Sequence, residues 1–123
     1  MLSEQQIVTT MQDIAGQLPG FIAASLVDLE SGMTLGVYSK DPSFDLNSAS
    51  AFNSEMVKQK LKIMDVLGLH MELEDMLLTL EEQIHVIHLL NRSTFLYLAA
   101  DRKQANLAIV RNAVAQHIRA LAA

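Results

Sequence analysis

Four histidines, at positions 70, 85, 88 and 117, and one arginine at a loop tip, Arg92, are the side chains with the most reactive potential in this chain. His85 and His88 stand three apart in a segment that reads as a strand. Side chains alternate there, so the two project to opposite faces and cannot chelate one metal together. His70 follows a helix end, and His117 falls on the final helix close to its apolar stripe. For all four, a satisfied or solvent-facing imidazole is the expectation. A partly buried His88 would add a pH-sensitive contact. Arg92, between the last two apolar runs, has the placement of an arginine finger, but a turn arginine is ordinarily just solvated, and that is what we expect of it. The chain has no cysteine, which excludes disulfides, thiol catalysis and thiolate-bound metals. Its five glycines form neither GxxxxGK[ST] nor GxGxxG, and no GxSxG or HExxH occurs; nucleotide-phosphate binding, a nucleophile elbow and a zinc hydrolase are therefore not indicated. The expectation is a protein that is not an enzyme and needs no cofactor or metal.

Bulk properties narrow the class further. A chain of 123 residues fits one domain, 1–123, that buries roughly two-thirds of its unfolded surface. Half the residues are hydrophobic, so a packed core is expected rather than disorder. The net charge of −5, with no basic stripe, argues against nucleic acid as a partner. No apolar run approaches the ~20 residues that span a bilayer, so membrane insertion is not expected. The opening MLSEQQIVTT carries acid and lacks a basic region before an apolar core; no signal peptide is expected, and a cytoplasmic location fits.

The elements that must position these groups are organised around Met76 to Ala100. It reads MLLTL, a turn EEQ, IHVIHLL, a turn NRS, then TFLYLAA, the pattern of an antiparallel meander. Met76, Leu78 and Leu80 alternate with Leu77; Ile84, Val86 and Leu90 oppose Ile87 and Leu89; Leu96, Leu98 and Ala100 oppose Phe95, Tyr97 and Ala99. A sheet apolar on both faces needs cover on both. Upstream, Ser3 with Gln6 forms a capping box, with Leu2 and Ile7 placed as a staple. Ile7, Met11, Ile14 and Leu18 then recur at helical spacing until Pro19-Gly20. Phe21 to Leu29 reads as a central strand, and Glu30-Ser31-Gly32 turns into Met33 to Tyr38. After a loop with Pro42, a long helix is expected from about Asn47 or Ser48 to Leu67, with Gly68 past its end. The last helix begins at Asp101 or at Asn106, with Leu107, Val110, Val114, Ile118 and Leu121 as its stripe.

The long middle helix is too apolar for one packing surface. Phe52, Met56, Ile63, Val66 and Leu67 fall on one side and Val57, Leu61 and Met64 on another, together an arc of roughly 220° against the ~100° one interface requires. Either the helix is sunk between a sheet and a loop, or it has two partners, the chain's own sheet and a second protein; the second is favoured.

Three stretches, LPGFIAASLVDLESGMTLG, the meander, and ADRKQANLAIVRNAV with its Asn106-Leu107 helix opening and Arg111 four residues on, resemble the roadblock/dynein light chain family over essentially the whole chain. The resemblance implies an α/β (α+β) fold in the order α-β-β-α-β-β-β-α: a five-stranded antiparallel sheet with the middle helix on one face and the terminal helices on the other. It also implies a homodimer in which the strand of Met76, Leu77, Leu78, Thr79 and Leu80 pairs with its copy and the middle helices pack together. A Ras-like small GTPase is the implied partner, bound on those helices without a catalytic side chain from this chain. An edge reading MLLTL with no Pro or Lys to blunt it would template aggregation unless paired, with the acids Glu72, Glu74, Asp75, Glu81 and Glu82 as gatekeepers. For the helix contact with a dimer mate or partner, the expected residues are Met56, Val57, Lys60, Leu61 and Met64. The rival from another class is a small-ligand sensor of α/β/α sandwich type, its cavity lined by His88 or Tyr97.

Overall fold

The computed structural model describes residues 2–121. Helix α1 spans Glu4–Gln17, β1 Phe21–Asp28, β2 Thr34–Ser39 and α2 Leu46–Val66. They are followed by β3 at Asp75–Thr79, β4 at Gln83–Leu89, β5 at Thr94–Asp101, α3 at Leu107–His117 and a 3-10 turn over Ile118–Ala120. The five strands form one sheet in the order β2-β1-β5-β4-β3, antiparallel throughout. The expected α/β architecture and element order are thus found.

Local chemistry explains the boundaries. The capping box at Ser3 and Gln6 is formed in both directions, with Gln6 N–H donating to Ser3 Oγ at 3.1 Å and Ser3 N–H to Gln6 Oε1 at 2.8 Å. The β1–β2 hairpin turns on Asp28, which accepts from both the N–H and the hydroxyl of Ser31, while Gly32 takes φ +74°. Helix α2 starts one or two residues earlier than its sequence reading. Asp45 is the cap, accepting from Ser48 N–H at 3.0 Å and from its hydroxyl at 2.7 Å; a carboxylate is favoured at the positive helix end. At the other end Gly68 adopts φ +69°, its N–H bonding Asp65 O and that of Leu69 bonding Met64 O, which is the paired Schellman closure. For α3, Asn106 is the cap, accepting from Ile109 N–H at 3.0 Å. Asp101 ends β5 and braces the intervening turn through Lys103 N–H and Gln104 Nε2.

The strand alternation sorts the core into two layers. Ala24, Leu26, Ile84, Val86, Leu96, Leu98 and Ala100 pack against Ile7, Met11 and Ile14 of α1 and Val110 and Val114 of α3. Ala23, Val27, Ile87, Phe95, Tyr97 and Ala99 pack against Leu46 and Val57 of α2. Helix α1 lies so close on β2 that a Cβ at Gly36 would sit 2.5 Å from Ile7 Cγ2. On the other face, buried Ser25 and Ser50 share a hydroxyl hydrogen bond of 2.9 Å and Ser54 donates to Ser50 O. These small residues let α2 settle over β1 and β2.

Candidate interaction surface

Because α2 sits over the β1–β2 side of its face, the β4–β3 side is covered only in part. Loop residue Phe44 reaches across it, stacking on Tyr97 at 6.5 Å and meeting His85 edge-on at 6.4 Å. Met76 and Leu78 of β3 stay half-buried on that face, Leu77 points to the opposite one, and Leu77 and Leu80 are exposed. Strand β3 is one edge of the sheet. Its observed span is Asp75–Thr79 rather than Met76–Leu80; Leu80 instead closes the turn by donating its N–H to Gln83 O. Leu89 N–H donates to Glu74 O at the other end. In an antiparallel pair the residues bonded across the ladder alternate, so Met76 and Leu78 are the residues whose backbone groups meet β4. The N–H and C=O groups of Asp75, Leu77 and Thr79 therefore point away from the sheet, unpaired by it.

Helix α2 supplies the second part of the surface. Val57 is buried against the chain's own sheet, Met64 is buried beside the segment that follows α2, and Met56 and Leu61 are half-buried at the margin of the sheet layer. Of the five residues expected on a contact face, only Lys60 is fully outside. The outward apolar residues belong to the other group: Phe52 is 76% exposed, Leu67 64% and Ile63 39%, with half-buried Met56 among them. Two apolar sides of one helix are indistinguishable by periodicity alone. The signal that separates them is the small polar pair Ser50 and Ser54, which shares the side of Val57 and Leu61 and marks the close approach to the sheet. The outward ridge has a further property: Phe52 and Leu67 stand equally far from the midpoint between Gln59 and Lys60, as do Met56 and Ile63. Such a ridge is complementary to itself in an antiparallel arrangement.

The titratable groups are distributed as the alternation requires. His85 faces the α2 side, where its Nε2–H donates to Gln83 Oε1 at 2.8 Å and its Nδ1 accepts from Tyr97 Oη at 3.2 Å. Burial pushes the Tyr97 hydroxyl up to about 12, against a smaller opposing pull from its hydrogen bond with Asn53. His88 faces the other side, directly opposite Asp75 on β3, and Arg111 of α3 clamps that aspartate at 3.1 Å. His117 Nε2 meets Gln17 Oε1 at 3.0 Å. Arg92 is exposed and approaches Glu72 at 4.0 Å. Among the described residues, no three His, Asp or Glu side chains group as a metal site needs, and no helix is long and apolar enough to cross a membrane. An open cleft of about 610 Å³ lies below the end of α2, lined in part by Leu61, Met64, Leu69, Met71 and Arg92, and a smaller one beside it is bordered by His88. Tyr97 lines neither, so the two residues proposed for a sensor cavity are not brought together.

Burial holds both His85 and His88 below the usual imidazole value, for His88 against a smaller opposing pull from Asp75 and Glu74. The folded state therefore disfavours the imidazolium, and stability present above the unfolded value near 6.5 is lost as pH falls below it toward the folded values. Protonating His85 Nδ1 also removes the acceptor of the Tyr97 hydroxyl. Urea midpoints measured at pH 7.5, 6.5 and 5.5 are expected to fall in that order, and His85→Gln should flatten the fall; a flat wild-type series would contradict it.

No protein-family model matches the sequence, and no curated protein matches it at a significant level. Solved structures do match in fold. The Roadblock/LC7 domain from Streptomyces avermitilis aligns with a TM-score of 0.80 at 17% identity, covering 93% of this chain and 92% of that one. The gliding protein MglB from Thermus thermophilus aligns at 0.83 and 17% identity, covering 97% and 87%. An MglB described as having a tetrameric arrangement aligns at 0.83 and 16% identity, covering 97% and 87%. These likenesses place the chain in the Roadblock/LC7 fold.

Proposed function

We propose that this chain, built on the Roadblock/LC7 fold, is a non-catalytic homodimeric scaffold or regulator whose 123 residues act as one domain in the cytoplasm. Two copies join along β3 and the outward ridge of α2, and the paired helices present a platform to a protein partner. The observation that carries this reading is a pair of self-complementary features, the open edge of β3 and the outward ridge of α2. The edge of β3 offers outward backbone groups at Asp75, Leu77 and Thr79, and a two-fold centred on Leu77 would match Asp75 with Thr79 of the second copy and Leu77 with itself. The same two-fold runs the two α2 helices antiparallel, the sense in which Phe52 meets Leu67 and Met56 meets Ile63. The tetrameric arrangement of one MglB of this fold supports the same direction. The family resemblance points to a Ras-like small GTPase as the partner, engaged by binding and without a side chain donated to its chemistry.

Light scattering at low micromolar concentration tests the core of the proposal: a mass of about twice the 13.6 kDa of one chain is expected, and a clean monomer would overturn it. Affinity capture from the source cell addresses the partner, with co-purification of a Ras-like GTPase as the expected result.

A further inference from the structure

The two clefts at the end of α2 are one groove. The larger, about 610 Å³, lies between the last turns of the helix and the segment that follows, with Met64, Leu69 and Met71 as its apolar lining. The smaller, about 220 Å³, continues toward the β4–β5 turn over Leu73, Leu89 and Leu90. Leu61, Met71, Glu72 and Arg92 line both. Where the clefts meet, Glu72 on one wall faces Arg92 on the other at 4.0 Å, with both side chains more than three-quarters exposed. A pair so well solvated contributes little and gives way readily. Asp65 stands in the larger cleft and Glu74 in the smaller, and neither takes part in an ion pair among the described residues. Three carboxylates, spread along the groove, thus face one guanidinium, with His70 and His88 beside them. The apolar lining is wet: Met71 is 62% exposed, and methionine reshapes easily around what it touches. An enclosed pocket suits a small molecule, most of whose surface it buries. A groove open along its length suits a stretch of chain whose side chains enter one after another.

We propose that this groove docks an extended segment of a partner protein in which aliphatic and basic residues alternate. In an extended chain successive side chains point to opposite sides, so the aliphatic ones enter the two clefts while the basic ones turn to the rim. There the exposed carboxylates of Asp65, Glu72 and Glu74 attract them and repel an acidic competitor. The site is complete within one chain and does not depend on the pairing proposed above.

The probe is a fluorescein-labelled pentapeptide of alternating lysine and leucine, titrated into the full chain while light scattering reports mass. Saturation at one peptide per chain is expected. In protein labelled at the methionine methyls, the resonances of Met64 and Met71 should move on titration, and those of core Met11 and of Met33 in the β1–β2 hairpin should not. Peptides alternating lysine with serine, or glutamate with leucine, should bind at least about tenfold more weakly. So should the parent peptide with the double variant Glu72→Gln/Glu74→Gln. Glu81→Gln/Glu82→Gln, the same change in charge at exposed acids beyond the other end of β3, should bind as the parent does. Absent binding, equal loss in both double variants, equal binding of either control peptide, or unmoved Met71 overturns the groove and leaves the dimer reading standing. Displacement of the peptide by leucinamide at equal concentration overturns it in favour of a small ligand. A chain that binds the peptide and stays monomeric at every concentration overturns the dimer and leaves the groove standing.

Discussion

Leu77→Pro should turn the proposed dimer into a folded monomer of 13.6 kDa. The backbone N–H of Leu77 points out of the sheet, since the ladder to β4 engages the residues on either side of it. Proline at this position therefore removes no hydrogen bond from the chain's own fold, which is the circumstance in which edge strands tolerate it. In the paired state the same ring removes both hydrogen bonds of the central pair and pushes its Cδ toward the second strand. A loss of about a hundredfold in dimer affinity, roughly 2.7 kcal/mol, is the expected scale. Analytical ultracentrifugation checks the mass and circular dichroism the fold. A soluble dimer with unchanged affinity would exclude β3 as the seam.

Phe52→Glu tests the other half of the surface and should cost more. In the free chain the Phe52 ring is 76% exposed, so its replacement should alter monomer stability by no more than about 0.5 kcal/mol. In the proposed dimer each ring would pack on the other copy's Leu67, and burying a phenylalanine is worth about 1.5–3 kcal/mol. Symmetry counts the change twice, giving about 3–6 kcal/mol, or roughly two to four orders of magnitude in affinity. Urea unfolding at a concentration where the parent is monomeric, beside a sedimentation series, separates the two effects. If the variant remains a dimer of parental affinity, the ridge is not part of the interface.

Much of this architecture is legible in short stretches. The box at Ser3 and Gln6, the Schellman closure at Gly68 and the Asp28–Ser31 turn involve residues within a few positions of one another, so local pattern suffices to find them. The start of α2 is less legible, because Asp45, Asn47 and Ser48 are all residue types that cap helices and stand within four positions of one another. Which one wins depends on where the loop carrying Phe44 is pinned, and Phe44 is held by Tyr97 and His85, far away in sequence. The His85–Tyr97 hydrogen bond escaped for a similar reason: facing positions on neighbouring strands depend on register, which no single strand declares.

The sequence by itself determined which residues of each strand share a face, where most elements begin and end, and that α2 has more apolar surface than one neighbour can cover. These follow from the fixed periods of strand and helix and from caps that bond only nearby residues. Tertiary structure alone decided that β1 lies between β2 and β5, which leaves β3 at the edge, and that Val57 rather than Phe52 or Ile63 turns toward the sheet. Strand order and helix rotation are set by how close two elements can approach, here through Gly36 against Ile7 and Ser50 against Ser25, and such distances between remote residues are not written into any one segment.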